Sequence, residues 1–532
     1  MSKNAEVVSH YSKNDFNKVF YFDKSGQKKQ ILFSEIYKIV KLFLKNNDLS
    51  SVGRVGVVGQ PSLEWIFSVL ISIEIGAEIV AIPENFNNED FENNLKDIHI
   101  DLYFIESSFL KLDYLKDKKV IIFDDYSEYL ADKYDENLNF SHGEFSFKIL
   151  AFTSGSTAKA KIKMFRIEDS STKTFINNFY NLYNMNKNDN WVVCHSFSHI
   201  VHLEYVLGAL IFGYNITLVD PLTFLLNAAN IKGDILVTVP NVYQKLLDII
   251  IRKLPKEGLR SQIINSLLGS EINEENLNFI NSIKHKIYPE ITQCLGSFYK
   301  VMIIGAAPSS IELKNKLLSL GLSVYEGYGM SETNMISANT PADYKIGSVG
   351  KVWPNIEMKL NDESIILVKT TPARTTEYLN VKDESSTFLP DGWISTGDIG
   401  EVDENGFIFI KGRTKDVIVN SNGKNINPSY IEQKINNFLN GGISIVFGNN
   451  RPFLVCLISP NEKNDELDYL SIKNNIFKMN KDLPIHERIL DFIILDEPFT
   501  IENNLMTRSN KPRKNLIEEF YKDRIEKLYS KT

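Results

Sequence analysis

Five short segments carry residue types and spacings that can do chemistry. Thr153-Ser154-Gly155-Ser156-Thr157 follows an apolar run, Phe147–Phe152, and precedes Lys159, Lys161 and Lys163. Small hydroxyl residues around a glycine leave backbone N–H groups open and add O–H donors. Such a loop can wrap a polyphosphate while the lysines supply countercharge. It is not a Walker A loop, because the second glycine and the Gly-Lys-Ser/Thr ending are missing. The same residues would also serve as a polar turn beside a solvated lysine run. The second segment is Tyr325-Glu326-Gly327-Tyr328-Gly329-Met330-Ser331-Glu332-Thr333. Gly327 and Gly329 let a ligand approach the backbone and expose the Tyr328 ring for stacking. Ser331 and Thr333 can donate to phosphate, and Glu332 offers a hard carboxylate for Mg²⁺. The plainer alternative is a tight turn with Glu332 capping a helix.

Gly305-Ala306-Ala307-Pro308 follows the apolar run Val301–Ile304. Small residues at the C-terminal end of a strand leave room for a flat ring, where open α/β sheets hold ligands. Ser309 and Glu312 have the spacing of a capping box opening a helix. Ser395-Thr396-Gly397-Asp398 ends in a carboxylate able to accept two ribose hydroxyls, and Gly412-Arg413-Thr414-Lys415-Asp416 comes next. The fifth segment is Gly423-Lys424-Asn425-Ile426-Asn427-Pro428 with Ile431-Glu432. His195, His199 and His202 are close enough to suggest a metal, yet no further ligand motif supports one.

Taken in order, TSGST…K, GYGMSET, STGD, GRTKD and GKNINP…IE resemble the adenylate-forming superfamily, which includes acyl-CoA synthetases and AMP-binding enzymes. The resemblance runs from about residue 30 to 530 and is closest in feel to the long-chain fatty acyl-CoA synthetases. It implies that Thr153, Ser154, Gly155, Ser156, Thr157 and Lys161 hold the β,γ-phosphates of ATP. Ala307 and Tyr328, with Gly329, would enclose adenine. Ser331 would meet the α-phosphate, Glu332 would bind Mg²⁺, and Asp398 and Arg413 would hold the ribose. His199, Gly305, Ala306 and Gly327 would line the acyl pocket. Lys415 falls at the family's hinge and Gly423 beside its thiol tunnel. Thr507-Arg-Ser-Asn-Lys511 resembles the long-chain form of the catalytic-lysine motif, which selects Lys511 over Arg513 and Lys514. The chain departs from the family pattern at Ala158, Ala160 and Ile162 of the phosphate loop.

The implied activity is ATP- and Mg²⁺-dependent conversion of a carboxylic acid to an acyl-adenylate, followed by transfer to a thiol. A medium- or long-chain fatty acid and coenzyme A are the expected pair. Loading of a carrier-protein phosphopantetheine or an amine is the nearest alternative, and a non-catalytic nucleotide- or acyl-binding homologue is the other.

These residues need a large scaffold. The chain has 532 residues, 43% hydrophobic and 24% charged, which suits several folded units. Its net charge of −8 argues against a nucleic-acid partner. Cys194, Cys294 and Cys456 form no CxxC pair, which speaks for a reducing compartment. The first residues lack an apolar h-region, and Glu74 and Glu78 interrupt the apolar stretch from Trp65 to Ile82, so neither a signal peptide nor a transmembrane segment is expected. The expected location is cytoplasmic.

Arg54–Val58, a helix placing Trp65, Val69, Ile73 and Ala77 on one face, and Glu78–Pro83 form a βαβ pattern. Further strands are expected at Leu102–Ile105, Val120–Phe123, Ile216–Val219, Ile235–Val239 and Val301–Ile304, with a long helical stretch over Ser261–Leu295. From about Ile346 short alternating segments dominate, and Asn405-Gly406 marks a hairpin. The fold class is α/β. A large N-terminal domain of mainly parallel sheets with flanking helices (residues 1–412) carries a small β-barrel-like subdomain at about 346–412. A small mobile α+β domain (413–532) follows.

Overall fold

The computed structural model describes residues 17–23, 26–84, 86–122, 146–152, 162–270, 272, 274–370, 387–439, 441–463, 467–506 and 511–530. They divide into two compact units. One holds the described residues up to Glu357 together with 369–370, and the other holds Met358–Val368 and 387–530.

The first unit is α/β and is built on two sheets. The nine-stranded sheet runs Lys351–Val352, Asn334–Ala338, Val324–Met330, Val301–Ile304, Ile235–Thr238, Asn190–Val193, Asn215–Leu218, Lys18–Phe22, Lys28–Leu32. Its strands from Val324–Met330 through to Lys18–Phe22 are parallel, and antiparallel strands close both edges. The six-stranded sheet runs Val120–Ile122, Leu102–Ile105, Arg54–Val58, Glu78–Ile82, Ser146–Phe152, Ile162–Glu168, parallel except for the last pair.

Side-chain alternation explains why these strands are apolar throughout. Val55, Val57, Ile79, Ala81, Leu102 and Phe104 enter one core, while Val58, Val80, Ile82, Tyr103 and Ile105 enter another. Val301 and Ile303 share the first core, and Met302 and Ile304 face a third. Strands covered on both faces have no polar side, so they read as continuous hydrophobic runs. The shared core is filled from Phe33–Asn46, Leu63–Ile75, Asp169–Tyr183 and Ile200–Phe212, helices that contribute to it together with both sheets.

Some local expectations change. The helix Leu63–Ile75 is capped by Ser62 and ended by left-handed Gly76 (φ 74°), so Ala77 lies past its end although it is buried. The helical stretch before Val301 is three helices, Gly258–Leu268, Glu274–Ile287 and Pro289–Leu295. The last begins at a proline and stops at left-handed Gly296.

In the second unit the alternating segments form a four-stranded antiparallel sheet, Ile356–Leu360, Ile365–Thr370, Ile394–Val402 and Ile408–Arg413, in chain order. Among the described residues its end strands do not pair with each other, so the sheet is open. The Trp393–Asp398 and Glu401–Val402 segments are one strand, bulged between Ile399 and Gly400. A three-stranded sheet follows, Ile443–Phe447, Leu454–Ser459 and Ile489–Ile494. The helices Pro428–Asn436 and Tyr469–Lys481 pack on one face, and Lys514–Phe520 and Lys522–Ser530 on the other. No helix among the described residues is long and apolar enough to cross a membrane.

Candidate active site

In the first unit the candidate residues cluster where the Val301–Ile304 and Val324–Met330 strands run side by side. Gly305 follows the first strand, and a Cβ there would meet the Gly327 carbonyl oxygen at 2.7 Å. Ala306 next to it is left-handed (φ 63°), an uncommon state for a residue with a side chain. The loop is therefore held tight against the neighbouring strand. Val324–Met330 turns directly into Asn334–Ala338, with a register shift between Tyr328 and Gly329. No helix follows Glu332, so it does not cap one; it lies in the hairpin turn and is 3% exposed.

Gly329 is required by the hairpin itself. A Cβ there would stand 2.1 Å from the Asn334 carbonyl oxygen. Asn334 is left-handed (φ 66°), and its Nδ2 donates to Glu204 Oε2 at 2.6 Å. Glu204 is buried on the Ile200–Phe212 helix. Ser331 is exposed, and Tyr328 is half-buried.

The Ser309–Glu312 capping box does not form. Ser310 is the cap, accepting from the Leu313 N–H at 3.0 Å, and Glu312 pairs with Lys316. Ser309 is buried and donates to Glu326 Oε1 at 2.8 Å, while Lys314, 3% exposed, pairs with Glu326 Oε2. This buried pair ties the Ile311–Ser319 helix to the strand carrying Tyr328. Sequence reasoning passed over it because Lys314 reads as a surface residue.

His199 sits at the N-cap of the Ile200–Phe212 helix and is exposed. His195 shares a hydrogen bond of 2.6 Å with Thr238 Oγ1, and its ring lies 5.0 Å from that of His202. His202 Nδ1 is buried without a hydrogen-bond partner. Burial, with some repulsion from His199, pushes His195 down to about 4, and burial holds His202 well below the usual histidine value. Both rings are therefore neutral near pH 7. The three cysteines are free and buried, and burial raises the Cys194 thiol to about 12.

The second unit assembles its own cluster. Asp398 and Arg413 are cross-strand partners, and Arg413 Nε donates to Asp398 Oδ1 at 2.8 Å. Asp398 is buried, while the Arg413 side chain is 62% exposed. Thr396 Oγ1 accepts from the Asp398 N–H, and Thr414 Oγ1 donates to the Gly397 carbonyl, fixing both strand ends. Lys511 belongs to the same neighbourhood. Desolvation and the Arg413 charge hold its ammonium below the usual lysine range, and Asp398 opposes them. Its side chain still reaches solvent. Lys415 is exposed in the 3₁₀ turn Thr414–Asp416. Gly423 is an exposed left-handed turn residue (φ 72°) with nothing within 4 Å of a Cβ.

Thr153, Ser154, Gly155, Ser156, Thr157 and Lys161, with Ala158 and Ala160, lie outside the described residues. No group of three or more metal-ligating side chains occurs among the described residues. A nucleotide-borne Mg²⁺ does not need one, since it commonly takes one or two carboxylates and fills its shell with phosphates and water. The single buried carboxylate of Glu332 fits that role.

The AMP-binding enzyme model matches residues 29–369, and the model of the AMP-binding enzyme C-terminal domain matches 415–532. The chain belongs to the AMP-binding enzyme family. Among similar proteins, a long-chain-fatty-acid–CoA ligase of Mycobacterium bovis is 28% identical over 267 residues, covering 46% of this chain and 44% of that protein. The chain thus spans less than half the length of that ligase. A 2-succinylbenzoate–CoA ligase of Bacillus cereus is 24% identical over 428 residues, covering 76% of this chain and 78% of the ligase. The O-succinylbenzoate coenzyme A synthetase of Bacillus subtilis in complex with AMP has the same fold. Its TM-score is 0.71 at 18% identity, over 95% of this chain and 97% of that one. The α/β class with a smaller C-terminal unit is the fold of this family.

Proposed function

We propose that this chain activates a carboxylic acid with ATP and passes the acyl group to a thiol. The acid's carboxylate attacks the α-phosphorus, pyrophosphate leaves, and the thiol then displaces AMP from the acyl-adenylate. The observation that carries the reading is the second unit's cluster, in which a buried Asp398, its partner Arg413 and the cation of Lys511 share one neighbourhood. A carboxylate aimed at hydroxyls beside two cations suits a ribose phosphate and a negatively charged transition state.

Lys511 bridges acid and α-phosphate, Asp398 and Arg413 hold the ribose, and Tyr328 stacks on adenine against Ala307. Glu332 holds Mg²⁺, which would neutralise charge on the phosphates. The Thr153–Thr157 loop with Lys161 holds the outer phosphates. The domain from about 413 onward moves about Lys415 between the two steps, and Gly423 flanks the thiol's path. The acid is a medium- or long-chain fatty acid and the thiol is coenzyme A, a choice supported by likeness to the mycobacterial ligase. A second reading, an aryl-substituted acid, is favoured by the longer match to the 2-succinylbenzoate ligase. The protein works in the cytoplasm.

Acid-dependent ATP–pyrophosphate exchange tests the reading. Exchange with fatty acids, and thioester formation on adding coenzyme A, is the expected result. Exchange only with aryl acids selects the second reading. Tight ATP binding without exchange for any acid in a broad panel would overturn enzymatic activation.

A further inference from the structure

Glu432, which is buried, and Lys514, which is half-buried, form an ion pair that none of these roles uses. Glu432 lies on the Pro428–Asn436 helix and is 7% exposed. Both its carboxylate oxygens accept from Lys514 Nζ, at 2.9 and 2.8 Å, and Oε1 also accepts from the Val446 N–H at 2.9 Å. Ser444 Oγ adds a bond to the Glu432 backbone carbonyl at 3.1 Å. One carboxylate therefore joins a helix, the Ile443–Phe447 strand and the first residue of the Lys514–Phe520 helix.

Lys511 lies three residues before that anchor. Between them, Pro512 bridges to Met506, the Arg513 N–H donates to the Leu505 carbonyl at 2.9 Å, and Arg513 Nη1 donates to Asn504 Oδ1 at 2.7 Å. The backbone between Lys511 and Lys514 is thus held at Pro512 and Arg513 against residues 504–506, so it enters the pair along a fixed path. A buried ion pair is weak evidence for stability, because packed apolar side chains of the same volume often serve as well. What the pair adds is register: the ammonium fits between two oxygens whose position the Val446 N–H already fixes.

We infer that Glu432 and Lys514 are positioning residues, which hold Lys511 beside Asp398 and Arg413. The inference rests on the adenylation reading for its consequence and on the hydrogen bonds above for its geometry. It also explains why the Gly423–Glu432 segment and the lysine segment, far apart in the chain, are joined: the pair locks the helix that follows the glycine loop to the segment that presents the lysine.

The test uses the full chain with Lys514→Met, Glu432→Gln and Lys514→Arg. Lys514→Met and Glu432→Gln are expected to lower the kcat of acid-dependent ATP–pyrophosphate exchange about 100-fold, the cost of misplacing a reacting group by about 1 Å. KM for ATP and thioester formation from supplied acyl-adenylate stay near wild type. Lys514→Arg restores most of the exchange, since a guanidinium can also span a carboxylate. Competitive acetylation of Lys511, read by mass spectrometry against pH, supplies a readout that needs no turnover. In Lys514→Met its titration should move up towards that of an ordinary lysine. Equal loss in both half-reactions with a lower unfolding midpoint, or an unchanged Lys511 titration, overturns the inference. A wild type without exchange whose Lys511 still responds to Lys514→Met overturns the proposed function and leaves the positioning intact.

Discussion

The hairpin around Tyr328 and the cluster around Asp398 achieve placement by opposite means. In the hairpin, backbone sits against backbone: Gly305 on Gly327, Gly329 on Asn334, with no room for a Cβ at either approach. Around Asp398 the placement comes from side chains, through a cross-strand Arg413 pair, a nearby Lys511 and a remote Glu432–Lys514 anchor. The first region can be damaged by adding atoms and the second by removing them. Damage to the first should appear as lost stability, and damage to the second as lost turnover.

Lys511→Ala carries the largest expected effect. Exchange should fall about 1000-fold, the scale of losing one preorganised electrostatic contact, with thioester formation from supplied adenylate largely intact. The side chain reaches solvent, so the unfolding midpoint should not move. Loss of both half-reactions in parallel would contradict a side-chain role confined to adenylation. Gly329→Ala is the counterpart in the hairpin. Its Cβ would lie 2.1 Å from the Asn334 carbonyl oxygen, and the strand must shift to relieve it. A cost of about 3 kcal/mol in urea unfolding is expected, at the upper end of ordinary single substitutions. A stable Gly329→Ala protein with raised KM for ATP would instead mean that the glycine serves the ligand.

His195 gives the first unit a pH signature. Burial takes His195 from 6.5 to about 4. Above pH 6.5 neither the native nor the unfolded form binds the proton. Between about 6.5 and 4 the unfolded chain binds it and the native form does not, so stability falls as pH is lowered through this window. The full shift is about 3 kcal/mol at 1.36 kcal/mol per unit; about 2 kcal/mol is expected, because acid loosens the site. His195→Gln should flatten that part of the stability curve. An unchanged slope between pH 6.5 and 4 would show that His195 is protonated in the folded protein.

The same contrast decides what could be read from the chain. Strands such as Arg54–Val58 and Val301–Ile304 were legible because both their faces are buried, leaving an unbroken apolar run. The edge strand Lys28–Leu32 was passed over, since two lysines and a glutamine occupy positions that central strands fill with Val or Ile. Asn190–Val193 was missed because it opens on a polar residue, Asn190, whose side chain is satisfied inside the fold by Thr217 and the Lys232 carbonyl. Motif residues that lie close to their motif partners along the chain, Gly329 and Asp398 among them, stand out by spacing. Lys314–Glu326 and Glu432–Lys514 could not, because each lysine is chosen by a carboxylate that only the fold brings near.

Gly423 has the smallest expected effect and separates the two kinds of placement most finely. It is left-handed, exposed and clear of any neighbour, so the turn asks only for a residue that tolerates positive φ. Asn does so at little cost, whereas Ala pays about 1 kcal/mol. If the glycine serves the turn alone, Gly423→Asn should leave stability and both half-reactions within about twofold of wild type, as for other surface changes. If the missing side chain keeps a path open for the thiol, Gly423→Asn should raise KM for coenzyme A while exchange stays unchanged. The proposed flanking role expects the second result. An Asn variant equal to wild type in thioester formation would reduce Gly423 to a turn residue and leave the side-chain cluster as the second unit's whole contribution.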